Sequence, residues 1–397
     1  MDVKHISELV FLIPKPFSGV GGIERIVITL AQEFIGKNLD GICFHAIVPK
    51  NSYTENELKK LNSRQIKISH IDQGRVCLES TSLLVGWGGV GNLLKSISGN
   101  PLYIVWSIFP GSPLSHLNVE NRSFLMKWLA LKKQKVSGYL AKSSTLYFMD
   151  SPNLLEFNRL SSSIAPKQFL PIPIAVEKNL FILNKRISTS LPNLNVSYVA
   201  RGKVPWKVYP FVSFIRDLVR HSIQPTIKIF TDDSELFKNI FKKIDLELQI
   251  EYIYGVSGES LRNNLADWSD LHIGMGTAVL EGGAIGIPSI CIDYAESLTD
   301  LPSWTWLYQN SSFDLGQLHP NHFQSTLEIK SLFSTDDQIE KMSNQTFDYV
   351  SRNHSAEKVL NELLGIDAIF HLSDYLSAHG LLITLAHKFF IWFKRET

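Results

Sequence analysis

Short apolar runs alternate with longer amphipathic stretches along the first third of the chain. The apolar runs predict β-strands at residues 9–13, 42–48, 66–71, 83–85 and 102–108. Between the first two runs, apolar side chains recur at helical spacing from Ile23 to Phe34, which predicts a helix that stops at Gly36. Strands that alternate with helices are typical of a parallel sheet with helices on both faces.

A second series of the same kind follows a polar stretch at residues 177–195. It predicts strands at 196–199, 227–230, 250–254, 271–273 and 289–292, and helices at 210–221, 234–244, 257–268 and 277–285. Because 397 residues exceed what one core usually supports, we predict an α/β fold of two Rossmann-like doubly wound domains.

The predicted domains are residues 1–180 and 181–345, followed by C-terminal helices in residues 346–397. One helix is predicted near residues 338–364. These last helices either pack back on the N-terminal domain or lie at a membrane surface.

The charge balance gives no reason to expect a nucleic-acid partner, because 39 Lys and Arg residues face 38 Asp and Glu residues. Any anionic ligand must therefore be bound by a local group of cations. The cysteines Cys43, Cys77 and Cys291 are far apart, so we expect no disulfide framework and a reducing cytoplasm. We expect neither a signal peptide nor the run of roughly 20 apolar residues that spans a bilayer.

Two glycine-bearing turns each join a predicted strand to a predicted helix. In the first, Gly21 and Gly22 precede the helix, where backbone N–H groups can hold a diphosphate. The alternative is a tight turn without a ligand. This turn does not fit the dinucleotide pattern G-x-G-x-x-G, whose third glycine would fall at Glu24.

The second turn contains Gly274 and Gly276 and leads into a helix that Thr277 is predicted to cap. Backbone N–H groups near Gly276 and Thr277 are candidates for binding a diphosphate. Glu281 follows one turn later, where a carboxylate can accept hydrogen bonds from ribose hydroxyls. Glycines at 282 and 283 indicate a close neighbour, and tight helix packing alone would explain them.

A basic loop with Arg201, Lys203 and Lys207 follows the predicted strand at 196–199. Ligands of open α/β sheets bind at the carboxyl ends of the strands, so these cations are candidates for binding phosphate. A solvated basic loop is the alternative.

These segments together resemble the retaining GT-B glycosyltransferases of the "glycosyl transferases group 1" family, over nearly the whole chain. The similar segments are 21–31, 147–151, 170–181, 196–207, 254–270 and 277–288. The resemblance implies two Rossmann-like domains that face each other across a cleft, a GT-B fold. It implies transfer of a sugar from a nucleotide-sugar donor to a hydroxyl acceptor, with retention of configuration.

The resemblance also implies a role for individual residues. Arg201 and Lys207 would neutralise the donor phosphates as catalytic cations, and Val256 would offer backbone atoms to the nucleotide base. Glu281 matches the second of the family's two glutamates, while Ile273 stands at the position of the first. That departure supports the alternative of a catalytically silent GT-B subunit that binds a nucleotide or a partner. A nicotinamide-dependent oxidoreductase is a further alternative, which the glycine spacing disfavours.

No metal and no other cofactor are expected. Metal-dependent transferases use an Asp-x-Asp pair, but Asp232 and Asp233 stand in a strand-to-helix turn and are predicted to cap the helix. The fixed positive charge of Arg201 and Lys207 would stabilise the leaving group instead. His116 and His272 are candidates for a general base by their position, yet histidines are more often structural.

On the acceptor side, Trp87 and Trp106 stand at strand ends where they can stack on sugar faces or belong to the core. The tail at residues 381–395 is mostly apolar with basic residues, which suits either a docked helix or the membrane interface. The expected acceptor is a saccharide or a lipid-linked saccharide. The family resemblance suggests bacterial surface polysaccharide or lipopolysaccharide synthesis, in the cytoplasm or peripherally on the inner face of the plasma membrane.

Overall fold

The computed structural model describes residues 6–13, 22–87, 93–109, 136, 138–142, 145–161, 163–176, 179, 194–320, 322–367 and 370–379. The chain divides into two compact units. Unit 1 is Met1–Pro173 with Ala356–Thr397, and unit 2 is Ile174–Ser355. Unit 2 is thus one continuous segment, and unit 1 is made from both ends of the chain.

The N-terminal segment of unit 1, which ends at Pro173, includes eight strands and three α-helices whose bounds lie in the described residues. They are β1 (Glu8–Leu12), α1 (Gly22–Lys37), β2 (Cys43–Val48), α2 (Tyr53–Lys60), β3 (Ile66–His70), β4 (Val76–Leu78), β5 (Ser82–Trp87), β6 (Ile97–Gly99), β7 (Leu102–Ser107), β8 (Leu146–Phe148) and α3 (Ser151–Leu160). Six of the strands form a parallel sheet in the order β3-β2-β1-β5-β7-β8, and β4 pairs with β6.

Helix α1 confirms the predicted helical spacing but not the predicted end. Ile26, Val27, Leu30 and Phe34 are buried, as the apolar spacing requires. The helix continues through Gly36 to Lys37, and the next residue, Asn38, has a φ of 46°. Asparagine tolerates this left-handed conformation, so Asn38 ends the helix where the sequence suggested the glycine.

Unit 2 has the same architecture. Its elements are β9 (Asn195–Val199), α4 (Pro205–Arg220), β10 (Thr226–Thr231), α5 (Glu235–Lys243), β11 (Ile250–Tyr254), α6 (Gly258–Trp268), β12 (Leu271–Gly274), α7 (Thr277–Gly283), β13 (Ser289–Ile292), β14 (Trp304–Trp306), α8 (Leu327–Leu332) and α9 (Asp336–His354). The sheet order is β11-β10-β9-β12-β13-β14. Only β14 runs antiparallel to its neighbour among these six strands.

The core of unit 2 packs the helix α4 on the central strand β9. The Tyr198 ring stacks on Phe211 with centroids 4.1 Å apart and planes 4° apart. The structure starts α4 at Pro205, whereas the sequence predicted a start at residue 210. Both positions are prolines, and Pro205 takes the first turn while Pro210 lies inside the helix, where it cannot donate a backbone hydrogen bond.

The single helix predicted near 338–364 is two helices, one in each unit. Helix α9 ends at His354, Ser355 is extended, and α10 (Ala356–Leu364) follows in unit 1. The Lys37 ammonium at the end of α1 lies 3.0 Å from the Glu357 carboxylate on α10. A last helix, α11 (Leu372–His379), follows a β-bridge between His371 and Leu102.

The first and last residues of unit 2, where the chain enters and leaves it, lie side by side. The Ile174 N–H donates to the His354 carbonyl at 2.7 Å, and Ile174 forms a parallel β-bridge with Ser355. Within the described residues, no helix is long and apolar enough to cross a bilayer.

Candidate functional site

The predicted donor-binding residues of unit 2 gather at one edge of its sheet. Strands β11, β10, β9, β12 and β13 are parallel, so their carboxyl ends share that edge. Arg201 and Lys207 follow β9, Val256 follows β11, and the turn with Gly276 and Thr277 follows β12. This is the edge at which open α/β sheets bind ligands.

The basic loop after β9 lies directly on the loop after β10. The Gly202 N–H donates to Asp232 Oδ1 at 2.8 Å. A Cβ atom on residue 202 would lie 1.6 Å from the Asp233 carbonyl oxygen, which only glycine avoids. The loop that carries the cations is therefore held in one place by its neighbour.

The Asp232 and Asp233 carboxylates both accept hydrogen bonds from neighbouring backbone N–H groups. Asp233 Oδ1 accepts a hydrogen bond from the Glu235 N–H at 2.8 Å, in the first turn of α5. Asp232 is the acceptor for Gly202. The residue that precedes α5 is Ser234, so neither aspartate is the cap that the sequence predicted. Asp233 instead accepts from the first N–H of the helix, and Asp232 supports the basic loop.

Lys207 and Arg201 are brought together at this edge. The Tyr198 hydroxyl donates to the Lys207 carbonyl at 2.6 Å, which fixes the first turn of α4. Burial lowers the pKa of the partly buried Lys207 ammonium, the charge of Arg201 lowers it further, and Asp232 opposes both. A bound anion would relieve this repulsion between two cations.

The turn after β12 is tight and already uses one N–H group. A Cβ atom at Gly274 would lie 2.6 Å from the Val279 nitrogen. Gly276, with a φ of 65°, is the residue that precedes α7, and Thr277 is its first residue, so the prediction that Thr277 caps the helix was wrong. The Gly276 N–H donates to the Leu315 carbonyl at 2.7 Å, so it is not available to a phosphate.

The glycines inside α7 allow close packing, as the sequence suggested. A Cβ atom at Gly282 would lie 2.5 Å from the His272 ring. One at Gly283 would lie 2.7 Å from both Leu307 and Val350.

Glu281 is buried in an ion pair that the sequence did not reveal. Its residue is 5% exposed, and Arg262 Nη1 on α6 donates to Glu281 Oε2 at 3.1 Å. The pair ties α6 to α7 and orients the carboxylate. Arg262 lies among apolar helical positions in the sequence, and no local spacing links it to Glu281.

Val256 lies in a loop between two glycines that adopt positive φ, Gly255 at 71° and Gly258 at 60°. Its side chain packs against the small core cluster that contains Phe230 and Leu261. The preceding Tyr254 is exposed, and its hydroxyl donates to Ser234 Oγ at 2.7 Å. The loop therefore presents backbone atoms from an anchored position.

His272 has a structural role. Its ring is fully buried, Nε2 donates to the Ala278 carbonyl at 2.9 Å, and Nδ1 lies 2.9 Å from Ser197 Oγ. Burial lowers its pKa to about 4, so the ring is neutral and links β9, β12 and α7. His116, the other histidine considered, lies outside the described residues.

Two carboxylates that the sequence did not single out lie beyond β13. Asp293 Oδ1 accepts from the Gln317 N–H at 2.7 Å, and Asp314 Oδ1 accepts from the Gly316 N–H at 2.9 Å. Burial raises the pKa of Asp314 to about 6, and the charge of Asp293 adds to the rise. The position of Asp293 directly after a strand could have indicated it, but nothing local marks Asp314.

In unit 1, the proposed acceptor tryptophans belong to the core. Trp87 and Trp106 are 1% and 0% exposed, and their rings stack on each other with centroids 5.3 Å apart. Their indole N–H groups donate to the carbonyls of Leu12 and Leu170, each at 2.7 Å. Neither offers a face to a sugar, because strand-end position does not distinguish an inward from an outward side chain.

The first glycine turn is described only in part. Gly22 is the exposed first residue of α1, with open space where a Cβ atom would stand. Gly21 lies outside the described residues, as does the tail at 381–395.

No family model matches the chain, and no curated protein matches it in sequence. Solved structures do match. TarM superposes with a TM-score of 0.56 at 10% identity, covering 92% of this chain and all of that one. The trehalose-6-phosphate synthase OtsA gives 0.49 at 11% identity, covering 93% and 99% of the two chains. WaaG, a glycosyltransferase involved in lipopolysaccharide biosynthesis, gives 0.47 at 10% identity, covering 90% and 98%.

At such low identity the likeness to TarM shows the fold and not the activity. Taken with the two largely parallel sheets and the helices between their strands, it gives the chain an α/β GT-B fold with two Rossmann-like units.

Proposed function

We propose that the chain is a glycosyltransferase that moves a sugar from a nucleotide-sugar donor to a hydroxyl acceptor, with retention of configuration. The GT-B fold is one that such enzymes share. The main support within the molecule is the Arg201 and Lys207 pair at the carboxyl edge of the unit 2 sheet. Two cations close enough for the charge of one to lower the pKa of the other are suited to a diphosphate.

The chemistry is a displacement at the anomeric carbon. The acceptor oxygen forms the new bond to that carbon while the bond to the donor phosphate oxygen breaks, and the electron pair stays on the departing diphosphate. In a front-face reaction the acceptor proton passes to that phosphate oxygen, so no separate base is needed. Lys207 and Arg201 stabilise the charge that develops on the leaving group, without a metal ion.

The nucleoside part of the donor is placed toward β11. In this proposal Val256 offers backbone atoms to the base. The Glu281 carboxylate, which Arg262 orients, accepts hydrogen bonds from the ribose hydroxyls. Gly21, Gly22 and Thr277 remain candidates for contact with the diphosphate. Gly276 serves there as the tight turn only, because its N–H is bonded to Leu315.

The proposal extends to the pathway by resemblance alone. The acceptor would be a saccharide or lipid-linked saccharide of bacterial surface polysaccharide or lipopolysaccharide synthesis. The enzyme would then work in the cytoplasm or on the inner face of the plasma membrane, with the basic and apolar composition of residues 381–395 as the support.

One observation favours a catalytically silent subunit as the second candidate. Ile273, at the position of the family's first glutamate, is fully buried in β12 and brings no carboxylate to the edge. A silent subunit would bind a nucleotide or a partner protein without transferring a sugar.

Thermal unfolding with UDP, GDP, ADP, CMP or NAD, each with and without EDTA, tests the proposal. A ligand that binds only the folded protein raises its Tm. We expect one nucleoside diphosphate to raise it, with no effect of EDTA and no shift by NAD. Absence of a shift with every nucleotide would contradict donor binding, and hydrolysis or transfer assays with the matching nucleotide sugar then separate an enzyme from a silent subunit.

Single variants test the site. Arg201→Ala, Lys207→Ala and Glu281→Ala should each lower donor affinity or turnover by about tenfold or more, roughly 1.4 kcal/mol. Lys243→Ala, an exposed lysine on α5, is the matched control and should leave both unchanged. Unchanged donor kinetics in all three site variants would overturn the assignment.

A further inference from the structure

An exposed aromatic pair lies at the same edge of unit 2 as the two cations. The Trp206 residue, in the first turn of α4, is 44% exposed. Its ring centroid lies 6.2 Å from that of Tyr294, with the planes 32° apart. Neither ring is part of the unit 2 core clusters.

The topology places this pair over the end of β12. Trp206 follows β9, Tyr294 follows β13, and β12 lies between those two strands in the sheet. The two rings therefore meet from the strands on either side of β12. The loop at 315–317 links Tyr294 to the turn after β12, because it accepts hydrogen bonds from the Gly276 N–H at 2.7 Å and from the Tyr294 N–H at 3.0 Å.

The Tyr294 ring is held in place by polar contacts at both ends. Its backbone is bonded to Gln317, and its hydroxyl donates to Glu296 Oε1 at 2.8 Å. The backbone of the helix turn that carries Trp206 is held by the hydrogen bond from the Tyr198 hydroxyl to the Lys207 carbonyl. The pair is therefore an exposed apolar surface in the same loop region as the cations, and a ligand that covers it would bury that surface.

We propose that Trp206 and Tyr294 form a platform against which the sugar ring of the donor packs through its C–H groups. This inference rests on the proposed function. In the proposed function the nucleoside is assigned to Val256 and Glu281, and the diphosphate to Lys207, Arg201 and the turn after β12, which the loops after β9 and β13 flank. The next moiety of a nucleotide sugar is the sugar itself, and the aromatic pair stands in those flanking segments.

The platform also accounts for the residue at position 273. A glutamate there would fix the sugar through its hydroxyls, but the isoleucine in this chain is buried in the strand. Apolar contact with the ring faces of Trp206 and Tyr294 is the other way to hold a pyranose, whose faces carry C–H groups. The chain would then select a sugar by the C–H groups on the pyranose face that packs against Trp206 and Tyr294.

Isothermal titration of matched ligand pairs tests this inference. The pairs are UDP and UDP-glucose, GDP and GDP-mannose, and ADP and ADP-glucose. The proteins are wild type, Trp206→Ala, Trp206→Phe, Tyr294→Ala and the control Tyr53→Ala, whose residue in unit 1 is 43% exposed. Circular dichroism checks that each variant is folded.

For the pair that wild type binds, Trp206→Ala and Tyr294→Ala should weaken the nucleotide sugar about fivefold and the free diphosphate less than twofold. Trp206→Phe, which keeps an aromatic face, should recover most of the loss, and Tyr53→Ala should change nothing. Equal weakening of both ligands, or of neither, overturns the platform while the donor site stands. If wild type binds none of the six ligands, the proposed function itself fails, and the platform with it.

Discussion

At the scale of single residues, the proposed contact of Lys207 with a diphosphate predicts that the binding affinity depends on pH. Its pKa is lowered by burial and by Arg201, and a bound anion favours its charged form. Affinity for the nucleoside diphosphate should therefore be full at neutral pH and fall as pH rises, at a lower pH than an ordinary lysine would give. Titrations between pH 7 and 10 measure the fall.

The matched variant for this prediction is Lys207→Arg. A guanidinium stays charged over the whole range, so the fall in affinity should move to higher pH. A wild-type profile identical to that of Lys207→Arg would show that Lys207 does not contact the ligand.

The buried pair of Arg262 and Glu281 predicts a non-additive effect on stability. Removing one charge, as in Arg262→Met or Glu281→Gln, leaves the opposite charge buried without its ion-pair partner. Each variant should lower the free energy of unfolding by about 3 kcal/mol. The double variant should cost less than the sum of the two. Denaturant unfolding measures all three, and additive losses would show that the two side chains do not support each other.

In unit 1, Glu8 predicts acid sensitivity. Burial alone would raise its pKa, but a hydrogen bond and charge from His45, a hydrogen bond from Ser82 and the charge of Lys67 hold it at about 2. This stabilisation is full above the ordinary value of 4.5 and is lost as pH falls toward about 2. Glu8→Gln should thus be less stable than wild type at pH 6, and the difference should shrink below pH 4. A constant difference from pH 6 to pH 2.5 would contradict this account.

At the scale of elements, one glycine decides where the basic loop lies. Gly202→Ala brings a Cβ atom against the Asp233 carbonyl, so the loop must move. We expect a loss of about 2 kcal/mol in stability and weaker diphosphate binding. Gly36→Ala is the matched control, because it lies in α1 with open space around it and should stabilise by about 0.5–1 kcal/mol. Calorimetry distinguishes these opposite signs, and equal effects would refute the role of the loop contact.

The sequence predicted those strands and helices whose apolar residues recur at the spacing of a single element type. Strands β11 and β13 have the predicted bounds, because each short run rich in apolar residues ends at a turn. The break at Ser355 was missed, since both α9 and α10 keep a helical apolar spacing across it. Arg262 and Asp314 were missed because their roles come from tertiary neighbours. For Trp87 and Trp106 the sequence left stacking on a sugar and a place in the core open, and the structure shows the core, because the direction of each side chain depends on the packed sheet.

At the scale of the whole molecule, the division of the chain makes a prediction about fragments. Unit 2 is one continuous segment with its own sheet and core, whereas unit 1 needs both ends of the chain. A fragment of residues 174–355 should fold cooperatively by circular dichroism and bind the same nucleoside diphosphate as the whole chain. A fragment of residues 1–173 should not fold alone, because it lacks α10, which packs on α1. Cooperative unfolding of that shorter fragment would contradict the division.

The β-bridge between Ile174 and Ser355 has a consequence for the order of folding. Closing a long stretch of chain costs conformational entropy that grows with its length. Once unit 2 has folded, this bridge holds Ile174 and Ser355 together. The folded segment then connects the two parts of unit 1 over a short distance, as a short turn connects two strands. Residues 1–173 and 356–397 then meet at the entropic cost of a hairpin, so early formation of unit 2 would accelerate the completion of unit 1.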